Sequence, residues 1–388
     1  MTPQPPPIED TEDDAEEVMD SAHEQGGQLE QSFKCGQCGA KLEFKPGTDA
    51  QICPYCDHEN PIPKSEEDIK ELDFEQYFNQ VVNSEETQDR MTVKCDSCGS
   101  ESTSDPNVTS TECPFCGTNI VSTAKSSKVI KPKSLLPFKI VRREAREAFQ
   151  KWVKSRWFAP SSLKKMSRMD GRFNGMYVPY WTYDCDTTTY YTGQRGEHYW
   201  VTQHYTARVN GKSVRRTRRV RKTRWWPASG TVWNTFDDIL VLASRSLPEK
   251  YARKLEPWDL PNLEPYADEY LSGFRAESYQ VDLPEGFAEA ETIMDSAIRV
   301  TIRRDIGGDE QRIHTVRTQH NNITFKHILL PVWINAYRYK KKVFRLLVNA
   351  RTGEVQGERP WSFWKIFSAV VSVGAIVGAI AYAIYLNQ

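Results

Sequence analysis

The chain has 388 residues and a net charge of −1, but the balance conceals an asymmetry. Residues 1–127 hold 27 Asp and Glu against 8 Lys and Arg, whereas residues 128–388 hold 25 against 43. Two or three folded units fit in this length, and the two halves carry opposite interaction potential or attract each other. Eight of the nine cysteines fall in four Cys-x-x-Cys pairs, a pattern of metal ligation in a reducing compartment rather than a disulfide scaffold.

Residues 1–32 read as an acidic tail without a core. Met1–Glu30 has ten carboxylates, no Lys or Arg, and the run Pro5-Pro6-Pro7, which excludes a secretory signal and predicts disorder. An internal repeat follows. Lys34-Cys35-Gly36-Gln37-Cys38-Gly39 recurs sixty residues later as Lys94-Cys95-Asp96-Ser97-Cys98-Gly99, and Cys53-Pro54-Tyr55-Cys56 as Cys113-Pro114-Phe115-Cys116. Two copies of one module are expected, over 33–61 and 93–121.

A structural zinc ion takes four soft ligands in a tetrahedron, and two Cys-x-x-Cys turns supply them. Cys35, Cys38, Cys53 and Cys56 are expected to close one site, and Cys95, Cys98, Cys113 and Cys116 a second. With four thiolates each site has no open position for water, so both ions are structural. His58 is a lesser alternative ligand to Cys56. Gly39, Gly99 and Gly117 follow second cysteines, where a tight turn favours positive φ. The modules carry net charges of −1 (33–60) and −3 (93–121) before the metal site adds its own −2, the reverse of a nucleic-acid footprint. They read as protein-binding knobs acting through Phe44, Tyr55 and Phe115, or as modules with those aromatics inside. Between them, the acidic linker 62–92 places Phe74, Tyr77, Phe78 and Val81 on one face of a short helix.

The body, 128–360, is expected to be α+β with a mostly antiparallel sheet. Val141–Phe158 reads as a helix with Ala145, Ala148, Phe149, Trp152 and Val153 inward, stopped by Pro160. Pro179–Tyr191 has strand composition. Glu197–Val209 and Ser213–Trp226 read as strands joined at Asn210-Gly211. A second helix is expected from Pro284 to Arg304, then strands over His327–Tyr339 and Val343–Asn349, with a turn at Arg351-Thr352-Gly353. Tyr177-Val178-Pro179-Tyr180-Trp181 and Leu329-Leu330-Pro331-Val332-Trp333 resemble a diverged duplication.

Lys212, Arg215, Arg216, Arg218, Arg219, Arg221, Lys222 and Arg224 crowd one strand, followed by Trp225-Trp226. Anionic lipid headgroups, nucleic acid stacked on the tryptophans, and the chain's own acidic half are candidate partners; a solvated edge-protecting face is the alternative. Cys185, between two aspartates, is unsuited to nucleophilic chemistry. His314, His320 and His327 match no metal-site spacing. The sequence contains no phosphate-binding loop, nucleophile elbow or His-Glu-x-x-His, so no enzyme is expected.

Residues 366–386 are uncharged and long enough to cross a bilayer. Trp361, Phe363 and Trp364 precede this span and Tyr382 and Tyr385 close it, as aromatic belts do. The cations Lys340, Lys341, Lys342, Arg345, Arg351, Arg359 and Lys365 lie before it, which places the bulk of the chain in the cytoplasm by the positive-inside tendency. Gly374 and Gly378 offer a small-residue face for a homodimer, or are incidental.

The paired Cys-x-x-Cys units resemble transcription-factor-type zinc ribbons. With Leu136-Pro137-Phe138, Trp157-Phe158-Ala159-Pro160-Ser161, Gly175-Met176-Tyr177-Val178-Pro179-Tyr180-Trp181 and Leu271-Ser272-Gly273-Phe274, the chain is similar to a bacterial family of membrane-anchored double-ribbon proteins. Members often carry primosomal-replication or superfamily II helicase labels. The missing ATP-binding loop argues against helicase activity. The resemblance implies a non-enzymatic scaffold that recruits flotillin-like (SPFH) or phage-shock-A-like proteins, with a membrane-tethered nucleic-acid binder as the alternative.

Overall fold

The computed structural model describes residues 33–63, 69–79, 87–95, 100–103, 110–113, 115, 118–121, 125–160, 173–209, 212–339 and 342–386. The acidic tail therefore lies outside the described residues. The first repeat forms a three-stranded antiparallel sheet of β1 (Glu43–Phe44), β2 (Ala50–Ile52) and β3 (Glu59–Pro61). The linker contributes β4 (Leu72–Asp73) and the expected helix, α1 (Phe74–Asn79). Asp73 starts that helix by accepting the Gln76 N–H at 2.7 Å, and Phe74 and Tyr77 pack on Phe325. The side chains of Phe78 and Val81 are outside the described set. Around the second repeat lie β5 (Thr87–Lys94), which begins in the linker, β6 (Glu101–Thr103), β7 (Ser110–Glu112), β8 (Asn119–Val121) and, just past the repeat, β9 (Lys125–Ile130). There β5 pairs with β6 and β9, and β7 with β8.

The body runs through β10 (Ser134–Leu135), α2 (Arg142–Ser155), β11 (Asn174–Val209), β12 (Lys212–Leu242), β13 (Glu264–Pro265), β14 (Arg275–Ala276), α3 (Leu283–Ile306), β15 (Glu310–Tyr339), β16 (Lys342–Asn349) and β17 (Val355–Gly357). A last helix, α4, spans Phe363–Leu386. One nine-stranded sheet, mostly antiparallel, carries the body with β12, β11 and β15 side by side, and even the linker strand β4 joins it through β15.

Helix α2 buries Ala145, Phe149 and Val153, the apolar stripe expected, but it ends at Ser155, short of Pro160. In α3 a buried row at Ala290, Met294, Ile298 and Ile302 faces the sheet, each side chain contributing about 2 kcal/mol or less. Asp282 caps that helix by accepting the Glu285 N–H at 2.9 Å. Gly286 lets the helix come close, since a Cβ there would stand 2.5 Å from the Tyr183 hydroxyl.

The structure departs furthest from expectation in strand length. The segments expected at Pro179–Tyr191 and Glu197–Val209 are parts of one 36-residue strand, and β12 continues through 31. Val209 pairs with Lys212, so the connection has two residues, as expected; Asn210 and Gly211 are outside the described set. The strand β15 likewise begins at Glu310 rather than near His327.

The duplicated phrases lie side by side, with Val178 paired to Leu330 and Pro179 to Leu329. Antiparallel pairing of equivalent positions makes a local two-fold. Each proline sits in a central strand without donating, and its carbonyl accepts a hydrogen bond: Ala243 N–H to Pro179 and Ala350 N–H to Pro331, both at 3.0 Å.

Candidate metal centre and membrane anchor

Each knuckle of the first repeat is closed by the backbone. The Cys35 N–H donates to the Ala40 carbonyl at 2.8 Å and the Cys53 N–H to His58 at 3.0 Å. Gly39 adopts φ 72°, as its position after Cys38 implies; at the second knuckle Asp57 takes φ 55° instead. The four sulfurs of Cys35, Cys38, Cys53 and Cys56 lie within 4.8 Å of one another. Cys35 and Cys56 are 3.6 Å apart and Cys38 and Cys53 3.4 Å. Sulfurs at about 2.3 Å from a tetrahedral zinc are separated by about 3.8 Å, so this group can hold a metal ion.

The electrostatics agree with a cation site. Backbone hydrogen bonding at Cys38 is the largest influence on Cys35 and, with that of Gln37 (N–H to sulfur 3.4 Å), draws its thiol down to about 6 against burial. At Cys56 backbone hydrogen bonding at His58 pulls downward, but burial and the crowding sulfurs of Cys38, Cys53 and Cys35 outweigh it and push the thiol up to about 12. Four crowded thiolates repel, and a dication removes that cost. His58 is exposed, and the quartet is complete without it.

In the second repeat, Cys95 and Cys113 are buried, while Cys98, Cys116, Gly99 and Gly117 are outside the described residues. The backbone nevertheless repeats the first module sixty residues on. The Cys95 N–H donates to Ser100 and the Cys113 N–H to Thr118, both at 2.8 Å. These are the same five-residue closures as Cys35–Ala40 and Cys53–His58.

Both modules are docked on the body. Phe44 is 3% exposed and packs edge-on against Tyr270 at 5.2 Å. Its N–H donates to the Ser272 carbonyl at 2.9 Å, and the Gly47 N–H to Phe138 at 2.8 Å. Gly47 adopts φ 82°, and a Cβ there would crowd the Lys139 carbonyl at 3.1 Å. Phe115, Val93 and Cys95 join a buried cluster with Met176, Val178 and Tyr180, whereas Phe44 shares one with Tyr177. Side chains alternate along a strand, so the modules sit on opposite faces of the sheet. Of the three aromatics read as knob residues, two are therefore internal. Tyr55 alone stands free, 82% exposed at the tip of the second knuckle.

The phrases that carried the family resemblance meet at these junctions. Phe138 stacks on Phe274 at 4.1 Å and meets Tyr177 and Trp333 edge-on, forming the platform under Phe44. Gly175 makes the room, since a Cβ would collide with the Phe274 ring at 2.4 Å. Trp157-Phe158-Ala159 grips the start of α4: Ser362 N–H donates to the Phe158 carbonyl at 2.9 Å and Lys365 Nζ to Ala159 at 2.8 Å.

The helix α4 is the one helix among the described residues long and apolar enough to cross a membrane, by length and composition. It starts at Phe363, before the expected Ile366, so Phe363 and Trp364 form its first turn. Trp157, Trp361, Phe363 and Trp364 are all exposed there. Gly374 and Gly378 meet no neighbour, leaving that face open. Tyr382's side chain is outside the described set.

The eight cations of the basic strand are all exposed and lie on β12 opposite residues 197–209. The lone Cys185 is buried, and burial, then Asp186, pushes its thiol up to about 11, so it stays a neutral thiol. His314, His320 and His327 do not converge; His327 is held by the Ile130 carbonyl at 2.8 Å and His320 lies 3.4 Å from Glu291. Sequence reasoning missed the carboxylate group Asp184, Asp237 and Asp238. Its cation is already present: Lys326 Nζ is 3.0 Å from Asp238 and 2.9 Å from Glu71 of the linker. A hollow at the foot of the basic hairpin is lined by Tyr191, Arg195, Glu197, Trp226 and Asp305. Its carboxylates are engaged, Asp305 by Tyr191 and Glu197 by Arg195.

No family model matches the chain, and no solved structure matches it. The chain is similar to the "Uncharacterized protein YdjG" of Bacillus subtilis (strain 168), with 26% identity over 245 residues, 61% of this chain. The match spans 65% of that relative's length.

Proposed function

We propose that the chain is a non-enzymatic, single-pass membrane scaffold whose two zinc ribbons hold structural ions and whose first ribbon recruits a soluble protein at the cytoplasmic face. The observation that carries this reading is the division of labour among the ribbon aromatics. Phe44 and Phe115 are spent on docking, whereas Tyr55 is presented outward at the tip of a metal-closed knuckle. A large aromatic held rigidly on a small module is the kind of residue that anchors protein interfaces. Closed four-thiolate sites leave no position for catalytic water. Exposed Trp157, Trp361, Phe363 and Trp364 around the start of α4 suit the headgroup layer.

The family resemblance nominates SPFH and phage-shock-A-like proteins as partners, in envelope stress. The test is co-purification from solubilised membranes with each candidate co-expressed. The full-length protein is expected to retain one of them, and Tyr55→Ser to lose it while keeping its metal. Retention of neither, or equal retention by Tyr55→Ser, removes the ribbon as the recruiting element.

A further inference from the structure

The third strand of the central sheet stops at the Gly196–Glu310 pair, but β11 and β12 continue as a two-stranded ribbon to Val209 and Lys212. That arm projects on the order of 45 Å beyond the sheet at 3.4 Å per residue. Two unsupported strands have no core of their own and are marginal in water, so such a length requires either a partner or a rigid foot. The foot is rigid. His198 Nε2 is 2.7 Å from Glu310, the Thr223 hydroxyl donates to the same carboxylate at 3.0 Å, and Arg312 stacks on Trp225 at 3.9 Å. Beyond that foot, residues 202–207 and 212–219 are almost all exposed among the described residues.

Residues 198–224 contain no carboxylate and nine Lys and Arg. The register distributes these over both faces. Lys212, Arg216, Arg218, Lys222 and Arg224 share one face with Tyr199 and Tyr205. Arg208, Arg215, Arg219 and Arg221 share the other with Trp200. The aromatics support the guanidinium groups: Arg218 lies over Tyr205 at 5.5 Å, Arg224 over Tyr199 at 5.1 Å and Arg219 over Trp200 at 5.4 Å. Cation–π support holds the charges in place and lowers the ordering cost of using them.

A bilayer surface is planar and meets one face of a ribbon. Charge on both faces fits a partner with anionic walls on two sides. The B-form major groove is about 12 Å wide, admits a two-stranded ribbon and is flanked by a phosphate backbone on each side. The A-form major groove is too narrow and deep for side chains to read. We propose that the 197–224 arm is a double-stranded-DNA-binding element that enters the major groove and contacts one phosphate backbone with each face. The nine cations of 198–224 outnumber its two side-chain amides, Gln203 and Asn210, so binding is driven by phosphate contacts and is weakly dependent on sequence. DNA binding by the arm is independent of the ribbon's role in recruiting protein.

The test uses the full-length chain in nanodiscs of uncharged lipid, a fluorescent duplex of about 30 base pairs, and anisotropy between about 50 and 200 mM salt. Binding is expected with a steep salt slope. Arg216→Ser/Arg218→Ser/Lys222→Ser on one face, and Arg215→Ser/Arg219→Ser/Arg221→Ser on the other, are each expected to flatten the slope by roughly two to three, at about 0.9 for each phosphate no longer neutralised. The matching Arg→Lys variants are expected to keep the slope, which separates the effect of charge from that of folding. Absence of duplex binding at the lowest salt overturns the proposal. Dependence on one face only, with equal capture by phosphatidylserine vesicles, also overturns it and assigns the arm to a membrane surface.

Discussion

Phe44→Ala separates the docking of the first ribbon from its metal. The Phe44 ring packs with Tyr270 and Phe274, in a cluster distinct from the one that contains Cys35, Leu42 and Cys53. Truncating a buried phenylalanine costs about 3–5 kcal/mol. What remains at the junction is the buried Ile62 and four hydrogen bonds at about 1 kcal/mol each: the Phe44 N–H to Ser272, the Ser272 hydroxyl to Leu42, the Gly47 N–H to Phe138 and the Gln51 amide to Glu269. A destabilisation of that size raises the undocked population by roughly a hundredfold to a few thousandfold. Hydrogen exchange of the full-length protein reads it directly. Amides of 42–52 and 268–274 are expected to lose protection in Phe44→Ala, while zinc content stays unchanged because the cysteine quartet and the hydrogen bonds that close its knuckles lie outside the Phe44 cluster. Unchanged protection would refute the docking energetics. Loss of zinc together with protection would refute the separation of the two clusters.

Cys38→Ser breaks the sulfur quartet, and zinc is expected to fall by one ion per chain by elemental analysis; no change would remove Cys38 from the site. Burial, reinforced by Glu71, raises Asp184 to about 6, whereas Glu71 is held at about 2: burial opposes, but Asp184, Thr324 and Lys326 prevail. A raised carboxyl binds its proton more tightly in the folded state, so its effect is a loss of stability as pH rises from about 4 through 6. Asp184→Asn is therefore expected to be more stable than the parent at pH 7, by on the order of 1 kcal/mol, and equal near pH 4, measured by thermal melting. Glu71 works the other way, and its contribution is lost as pH falls below about 4.5 toward 2. Lys326→Met leaves Glu71 and Asp238, both partly exposed, without their shared cation and is expected to cost about 1–3 kcal/mol, read as a lowered Tm. Deleting 363–386 is expected to release the protein from membranes on flotation; continued flotation would assign membrane binding to the arm or another surface.

The local chemistry was legible in the sequence wherever a short-range rule fixes it. The cysteine spacing located the quartet, the glycine after Cys38 located a left-handed turn, and the periodicity of 145–153 located one buried helix face; the helix expected over 284–304 was placed without its inward face. The length of β11 was not legible. Between Tyr191 and Glu197 the strand composition lapses, with Gly193 and Gly196 among polar residues, but each glycine is here an accommodation. A Cβ at Gly193 would sit 2.3 Å from the Arg312 carbonyl, and one at Gly196 would press on Trp225 at 2.9 Å. Ribbon docking was hidden for another reason. Phe44 meets Tyr270 and Phe274 across more than two hundred residues of chain, and no pattern within the module distinguishes a ring that fills its own core from one that fills another's. The signal was present elsewhere, in Gly175, Phe138 and Gly273-Phe274, whose shared purpose appears only when they converge. Nothing local to Lys326 marks it, since its partner Glu71 arrives from the linker.

Scaffold, docked ribbons and closed sites all require four sulfurs around one ion in each repeat. X-ray absorption at the zinc edge, with metal analysis on the purified full-length protein, tests this directly. Two zinc ions per chain, each with four sulfur neighbours at about 2.3 Å, is the expected result. Fewer sulfurs with an oxygen ligand would reopen catalytic chemistry, and protein that holds no zinc would contradict the ribbons altogether.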